Sequence, residues 1–222
     1  MRVTWPMEAR NRLSNFFVFN FDSDISTGVQ SMIMKWISQT LLGGLLLIIV
    51  SAALAAEDID AIDNYLQYSP QFSSSGQPGA QQLKALSEAG FKRVIYLAFT
   101  DNDSAIDAED RLVKSLGMDY VHIPVDFDHP TVEDFEDFAA VMNRGRQERT
   151  LLHCQINLRA STFSFLYRVI YAGVPMTEAK SDLDDIWQPD KVWYQLIIDV
   201  LKRHDLSHEC DGCDWGVNEF ED

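Results

Sequence analysis

The sequence is poor in cysteine, in proline and in positive charge. Three cysteines in 222 residues exclude a small disulfide scaffold, which uses several bridges in place of a core. Seven prolines and eleven glycines exclude collagen-like and low-complexity chains. Eighteen Lys and Arg against 34 Asp and Glu give a net charge of −16. That argues against a nucleic-acid binder, which needs a basic face for the phosphates. No internal repeat is visible, so solenoids are excluded. Only one long hydrophobic run is present, so a multi-span membrane protein is excluded. What remains is ordinary globular composition, 46 % hydrophobic and 23 % charged. The length fits one domain, two at most.

The hydrophobic run lies in residues 34–56, M-K-W-I-S-Q-T-L-L-G-G-L-L-L-I-I-V-S-A-A-L-A-A. Lys35 is a short positive start, residues 41–50 are an apolar core, and Ala53-Leu54-Ala55 is a small-x-small end before acidic Glu57-Asp58. This is the pattern of a secretory signal peptide, expected to span residues 32–55. The stretch from Trp36 to Ala56 carries no charge, so an uncleaved membrane anchor is the competing reading. Residues 1–31 are polar and aperiodic and precede the signal, which marks them as an unstructured extension of the gene model, with the true start at Met32 or Met34. Cleavage removes Arg2, Arg10, Arg12 and Lys35 with Glu8, Asp22 and Asp24, leaving a still more acidic chain. The expected location is periplasmic or secreted, with no membrane contact after cleavage. Such a compartment is oxidising.

The rest of the chain divides into a folded domain, residues 56–204, and an acidic tail, residues 205–222. Residues 57–68 hold a short amphipathic run. Ser69-Pro70 and residues 73–79 are rich in turn formers and read as loop. Residues 80–89 are periodic at helical spacing, with Gly90 where a C-terminal cap belongs. The apolar run of residues 94–99 reads as a strand buried on both faces. A helix is expected over 107–116, a strand over 120–125, and a helix capped by Thr131 with Asp134 three residues on. A short strand over 150–154 precedes helices over 160–172, 176–186 and 190–204. Strands alternating with helices predict a single α/β domain whose mostly parallel central sheet is flanked by helices.

The chemistry concentrates in His153-Cys154-Gln155-Ile156-Asn157-Leu158-Arg159-Ala160-Ser161. A cysteine between a buried strand and a helix N-terminus faces a concavity of backbone N–H groups. That field binds an anion and favours thiolate over thiol. Arg159 is close enough to grip two phosphate oxygens. Asn157 sits where a left-handed backbone is expected and tolerates it better than most residues. Ser161 is a candidate donor to the sulfur, and His153 a support for the loop.

This segment resembles the signature of cysteine-dependent protein tyrosine and dual-specificity phosphatases. The chain is also similar to bacterial phosphatase-like domains over residues 68–175. The matching segments are Ser75-Gly76-Gln77-Pro78, Gly90-Phe91-Lys92-Arg93-Val94-Ile95 and Tyr120-Val121-His122-Ile123-Pro124-Val125. The resemblance implies that Cys154 attacks phosphorus to form a phosphocysteine. Arg159 and the loop, with Gln155, Ile156, Asn157, Leu158, Ala160 and Ser161, would hold the phosphate oxygens. A carboxylic acid after the Ile-Pro-Val strand would protonate the leaving group. Asp126 is the first candidate and Asp128 the second. No metal or cofactor is implied. The substrate would be a small phosphorylated molecule or a phosphopeptide, since a strongly acidic chain repels polyanions.

The loop departs from the phosphatase pattern, with four residues between Cys154 and Arg159 in place of five and with Asn157 in place of glycine. Cys-x4-Arg also resembles the loop of rhodanese-type sulfurtransferases, whose cysteine carries a persulfide. Sulfur transfer and non-catalytic anion binding are therefore the alternative functions. In the tail, Cys210-Asp211-Gly212-Cys213 has turn chemistry suited to a local disulfide. A zinc site with His204 and His208 and a redox pair serving Cys154 are the other readings.

Overall fold

A computed structural model of the chain describes residues 59–216. The expectations for residues 1–31 and for the signal segment lie outside those residues. Five strands are described: β1 (Leu66–Ser69), β2 (Phe72–Ser75), β3 (Arg93–Tyr96), β4 (Asp119–His122) and β5 (Thr150–His153). The six described helices are α1 (Ala80–Glu88), α2 (Glu109–Ser115), α3 (Val132–Arg144), α4 (Leu158–Tyr171), α5 (Met176–Asp184) and α6 (Lys191–Arg203).

The strands form one sheet in the order β1-β2-β5-β3-β4. β1 runs antiparallel to β2, and the other neighbours are parallel. This is the expected mostly parallel α/β sheet. β3 and β5 are apolar on both faces at their centres because helices cover both. Val94 and Leu151 point to a layer built by Ile62, Leu83 and Leu86 of α1, and Val113 of α2. Ile95 and Leu152 point the other way, to Phe135 and Phe138 of α3, Phe163 and Leu166 of α4, and Trp193 and Ile197 of α6. Each such large apolar side chain contributes roughly 1.5–3 kcal/mol by leaving water.

Local chemistry sets the ends of the elements. Thr131 Oγ1 accepts from the Asp134 amide and the Asp134 carboxylate accepts from the Thr131 amide, closing the box expected at the start of α3. Asp190 accepts from the amides of Val192 and Trp193 at the start of α6. Two expectations are corrected. Residues 73–75 are not loop but a buried strand paired in register with β5. Their hydroxyls are satisfied in place: Tyr65 Oη and Ser73 Oγ lie 3.0 Å apart, Tyr68 Oη and Ser74 Oγ 2.8 Å, and Ser75 Oγ donates to the Gly76 carbonyl. Serine in a strand is therefore tolerated at full burial.

The second correction concerns the tail. Through residue 216 it folds back on the domain. Trp215 is buried against Phe165 and Tyr194, and buried Lys180 donates to the Asp214 carbonyl. Cys210 is joined to Cys213 by a disulfide. His204 lies 2.9 Å from Glu136, away from any zinc arrangement with the cysteines.

Candidate active site

Cys154 is the first residue after β5, and its amide donates to the Ser75 carbonyl on β2. Gln155 and Ile156 follow. Asn157 turns the chain with φ of +73° into the first turn of α4. A left-handed backbone is needed there, which explains why asparagine serves where glycine is usual.

The loop is tied from outside. The Gln77 amide donates to the Gln155 carbonyl at 3.0 Å. Asn64 Nδ2 donates to the Ile156 carbonyl at 2.9 Å, and Asn157 Nδ2 donates to the Asn64 carbonyl at 2.6 Å. With two loop carbonyls held outward, the first intrahelical bond runs from the Ser161 amide to the Asn157 carbonyl. The amides of Leu158, Arg159 and Ala160 have no acceptor among the described residues. They form the positive end of the helix, which suits an anion.

Arg159 is 7 % exposed. Its Nε donates to the Val125 carbonyl at 3.0 Å and its Nη1 to Gln155 Oε1 at 3.2 Å. The guanidinium lies 4.9 Å from the centre of the Phe127 ring. Among the described residues no carboxylate pairs with it, so its charge remains available to an incoming anion. A pocket of about 290 Å³ is lined by Cys154, Gln155, Ile156, Leu158, Arg159, Phe127 and Asp128. Cys154 is 1 % exposed, while Ile156 at the loop tip is 51 % exposed. The mouth thus carries an apolar rim around a cationic floor.

Among the sequence-predicted residues, Cys154, Arg159, Gln155, Ile156 and Leu158 meet in this pocket. Asn157 shapes the loop behind it. Ala160 is buried in the core, and Ser161 donates to the Leu158 carbonyl at 3.1 Å, not to the sulfur. The two aspartates expected as acids sit differently. Asp128 is on the pocket wall and Asp126 is not. Asp126 instead accepts from the Asp128 amide at 2.9 Å and faces His129 at 3.3 Å. The Asp128 amide first, and His129 second, hold its carboxyl below the usual carboxylate range. Its side chain closes the turn on which Asp128 stands.

Behind the cysteine, fully buried His153 places Nε2 3.2 Å from Oε1 of buried Glu109, without the alignment of a hydrogen bond. Gln77 Nε2 donates to the same Glu109 oxygen at 3.1 Å. The His153 ring stacks on Tyr96 at 4.6 Å, and Tyr96 stacks on His122 at 5.3 Å, across three neighbouring strands. Burial pushes the Tyr96 phenol upward. Sequence reasoning missed Glu109, Asn64 and Phe127. Each is remote in the chain from Cys154, and none carries a local signal of its role.

Residues 54–186 match the family model described as PTP-NADK, a DSP-PTPase phosphatase fused to NAD+ kinase. The chain belongs to this phosphatase family. A crystal structure of a DUF442 protein described as a phosphatase, from Shewanella putrefaciens CN-32, is 36 % identical. That match covers 67 % of this chain and 97 % of that one, with a TM-score of 0.61. The crystal structure of Tk-PTP in the active form is 20 % identical, covering 64 % and 96 % with a TM-score of 0.52. The core catalytic domain of the PP-IP phosphatase SIW14 from S. cerevisiae is 14 % identical, covering 64 % and 90 % with a TM-score of 0.53. These last two show the shared fold. None of the curated proteins matches the chain. As a member of the family, the protein is a tyrosine and dual-specificity phosphatase-like hydrolase of the cysteine-dependent superfamily.

Proposed function

We propose that the protein hydrolyses a phosphomonoester through a phosphocysteine intermediate, with Cys154 as nucleophile, Arg159 as oxyanion clamp and Asp128 as general acid. The observation that carries this reading is that these three residues line one pocket, with Arg159 unpaired by any described carboxylate. Sγ of Cys154 forms a bond to phosphorus as the ester P–O bond breaks. The leaving oxygen takes the proton of Asp128. Arg159 and the free amides at the start of α4 hold the remaining phosphate oxygens. Water then attacks phosphorus, gives its proton to Asp128 and releases the thiolate.

The apolar rim of Ile156, Leu158 and Phe127 suits a phosphate on an aromatic or apolar group, in a small molecule or a peptide. The net charge of −16 disfavours polyanionic substrates. We further infer export by the 32–55 signal segment to a periplasmic or extracellular place, a setting in which a Cys210–Cys213 disulfide persists. N-terminal sequencing of the native protein tests this. A start near Ala56 supports it, and a retained signal segment gives a membrane-anchored form instead.

Hydrolysis of an aryl phosphate, with and without vanadate and beside Cys154→Ser, tests the reaction. Vanadate-sensitive turnover lost in the variant supports the phosphatase reading over a purely anion-binding module. The four-residue spacing between Cys154 and Arg159 favours a second reading, sulfur transfer through a Cys154 persulfide. Cyanide-dependent cleavage of thiosulfate without phosphatase turnover would establish it.

A further inference from the structure

We propose that Trp193 on α6 is a positioning residue for the general acid, acting on Asp128 through the backbone carbonyl of Phe127. This rests on the phosphatase reading above. The Asp128 carboxylate has no hydrogen-bond or ion-pair partner among the described residues; only its amide is bonded, to Asp126. Its place beside the pocket is therefore set by the backbone of the turn that carries it.

That turn is held at two carbonyls from two directions. Arg159 Nε takes the Val125 carbonyl at 3.0 Å, and Trp193 Nε1 takes the Phe127 carbonyl at 2.9 Å. Trp193 is itself immobile. It is fully buried, its amide is bonded to Asp190, and its ring packs on Phe127 at 5.5 Å and on Phe163 at 6.1 Å. The indole N–H thus transmits the fixed position of α6 to the residue adjoining Asp128. A shift of about 1 Å in a catalytic group can cost on the order of 100-fold in rate, so one hydrogen bond at this carbonyl has leverage on the proton transfer.

The test separates proton transfer from general damage by the leaving group. Phenolate leaves poorly without a proton, whereas 2,4-dinitrophenolate leaves without one. Trp193→Phe removes the donor and keeps most of the packing. Its kcat/KM, which reports only the steps up to departure of the leaving group, is expected to fall about tenfold or more on phenyl phosphate, with less than about a twofold loss on 2,4-dinitrophenyl phosphate. The fall in rate at alkaline pH on phenyl phosphate should flatten. Added to Asp128→Asn, Trp193→Phe should cost nothing further on phenyl phosphate. Equal losses on both esters, or additive losses with Asp128→Asn, overturn the proposal while leaving the phosphatase reading intact. Absence of turnover by the unmodified protein removes both. Trp193→Leu is made in parallel. If neither variant shows a cooperative thermal transition, Trp193 is a core residue only and the proposal fails.

Discussion

Asn157 Nδ2 donates to the Asn64 carbonyl, and Asn64 Nδ2 donates to the Ile156 carbonyl, so two hydrogen bonds cross the edge of the cysteine loop. Asn64 and Asn157 both have left-handed backbones, with φ of +50° and +73°. The two bonds fix the loop from the segment before β1. They also separate two roles of Asn157. Asn157→Gly keeps the backbone and loses the bond, and should cost about 1 kcal/mol. Asn157→Ala loses both and should cost about 2–3 kcal/mol. Thermal unfolding reads the difference as a shift of roughly 2–4 °C per kcal/mol. Equal shifts would mean that the left-handed turn carries no strain.

The acid is assigned by comparing the two aspartates. Asp128→Asn should slow phenyl phosphate hydrolysis by about 100-fold or more. Asp126→Asn should act within about threefold, because the asparagine amide oxygen still accepts from the Asp128 amide and makes the same turn. The Asp126 carboxyl is engaged by the Asp128 amide and His129, which lower its pKa. Steady-state kinetics with both variants checks the ranking. The reverse order would return the acid role to Asp126.

Glu109 is a buried carboxylate whose partners are His153 and Gln77. Truncation to alanine leaves both without it in the interior, at a cost of about 2 kcal/mol. Asp110, the next residue, is half-buried and, among the described residues, pairs with Lys114 one turn on. Asp110→Ala should therefore stay within about 0.5 kcal/mol of the parent. Urea unfolding midpoints distinguish the two. A neutral Glu109→Ala would mean that water replaces the carboxylate behind the cysteine.

Tyr68 links stability to alkaline pH. Its hydroxyl pairs with Ser74, its ring lies under Arg168, and burial above all pushes its pKa from 10.0 up to about 12. The folded chain therefore keeps a proton that the unfolded chain releases. Stability from this residue is full below pH about 10 and declines as pH rises toward 12, on the order of 1 kcal/mol per pH unit. Tyrosinate absorbance and unfolding should rise together in that window. Tyr68→Phe should flatten the dependence, and an unchanged slope would refute the assignment.

The order of β3, β4, β5 and the helices was legible because β3 and β5 have apolar centres and the helices carry caps and periodic faces. The cysteine turn was legible because strand, cysteine, left-handed asparagine, arginine and helix follow one another in the chain. β2 was not, because Ser73, Ser74 and Ser75 read as turn formers until Tyr65 and Tyr68 are seen to pair with two of them. The choice between Asp126 and Asp128 depends on which way a turn faces, and spacing along the chain carries no such information. Glu109 and Trp193 reach the site through packing across the sheet and from α6. The folding back of the tail rests on one aromatic residue, Trp215, in an otherwise acidic stretch.

The sheet order has a consequence for how the molecule is assembled. β5 is the last of the described strands to be synthesised, yet it lies between β2 and β3. A nascent chain that stops short of Thr150 holds two parts of a sheet with no strand to join them. Contacts between residues so distant in sequence make folding slow. Because Cys154 directly follows β5, the strand that joins the halves also carries the proposed nucleophile to its place in the sheet.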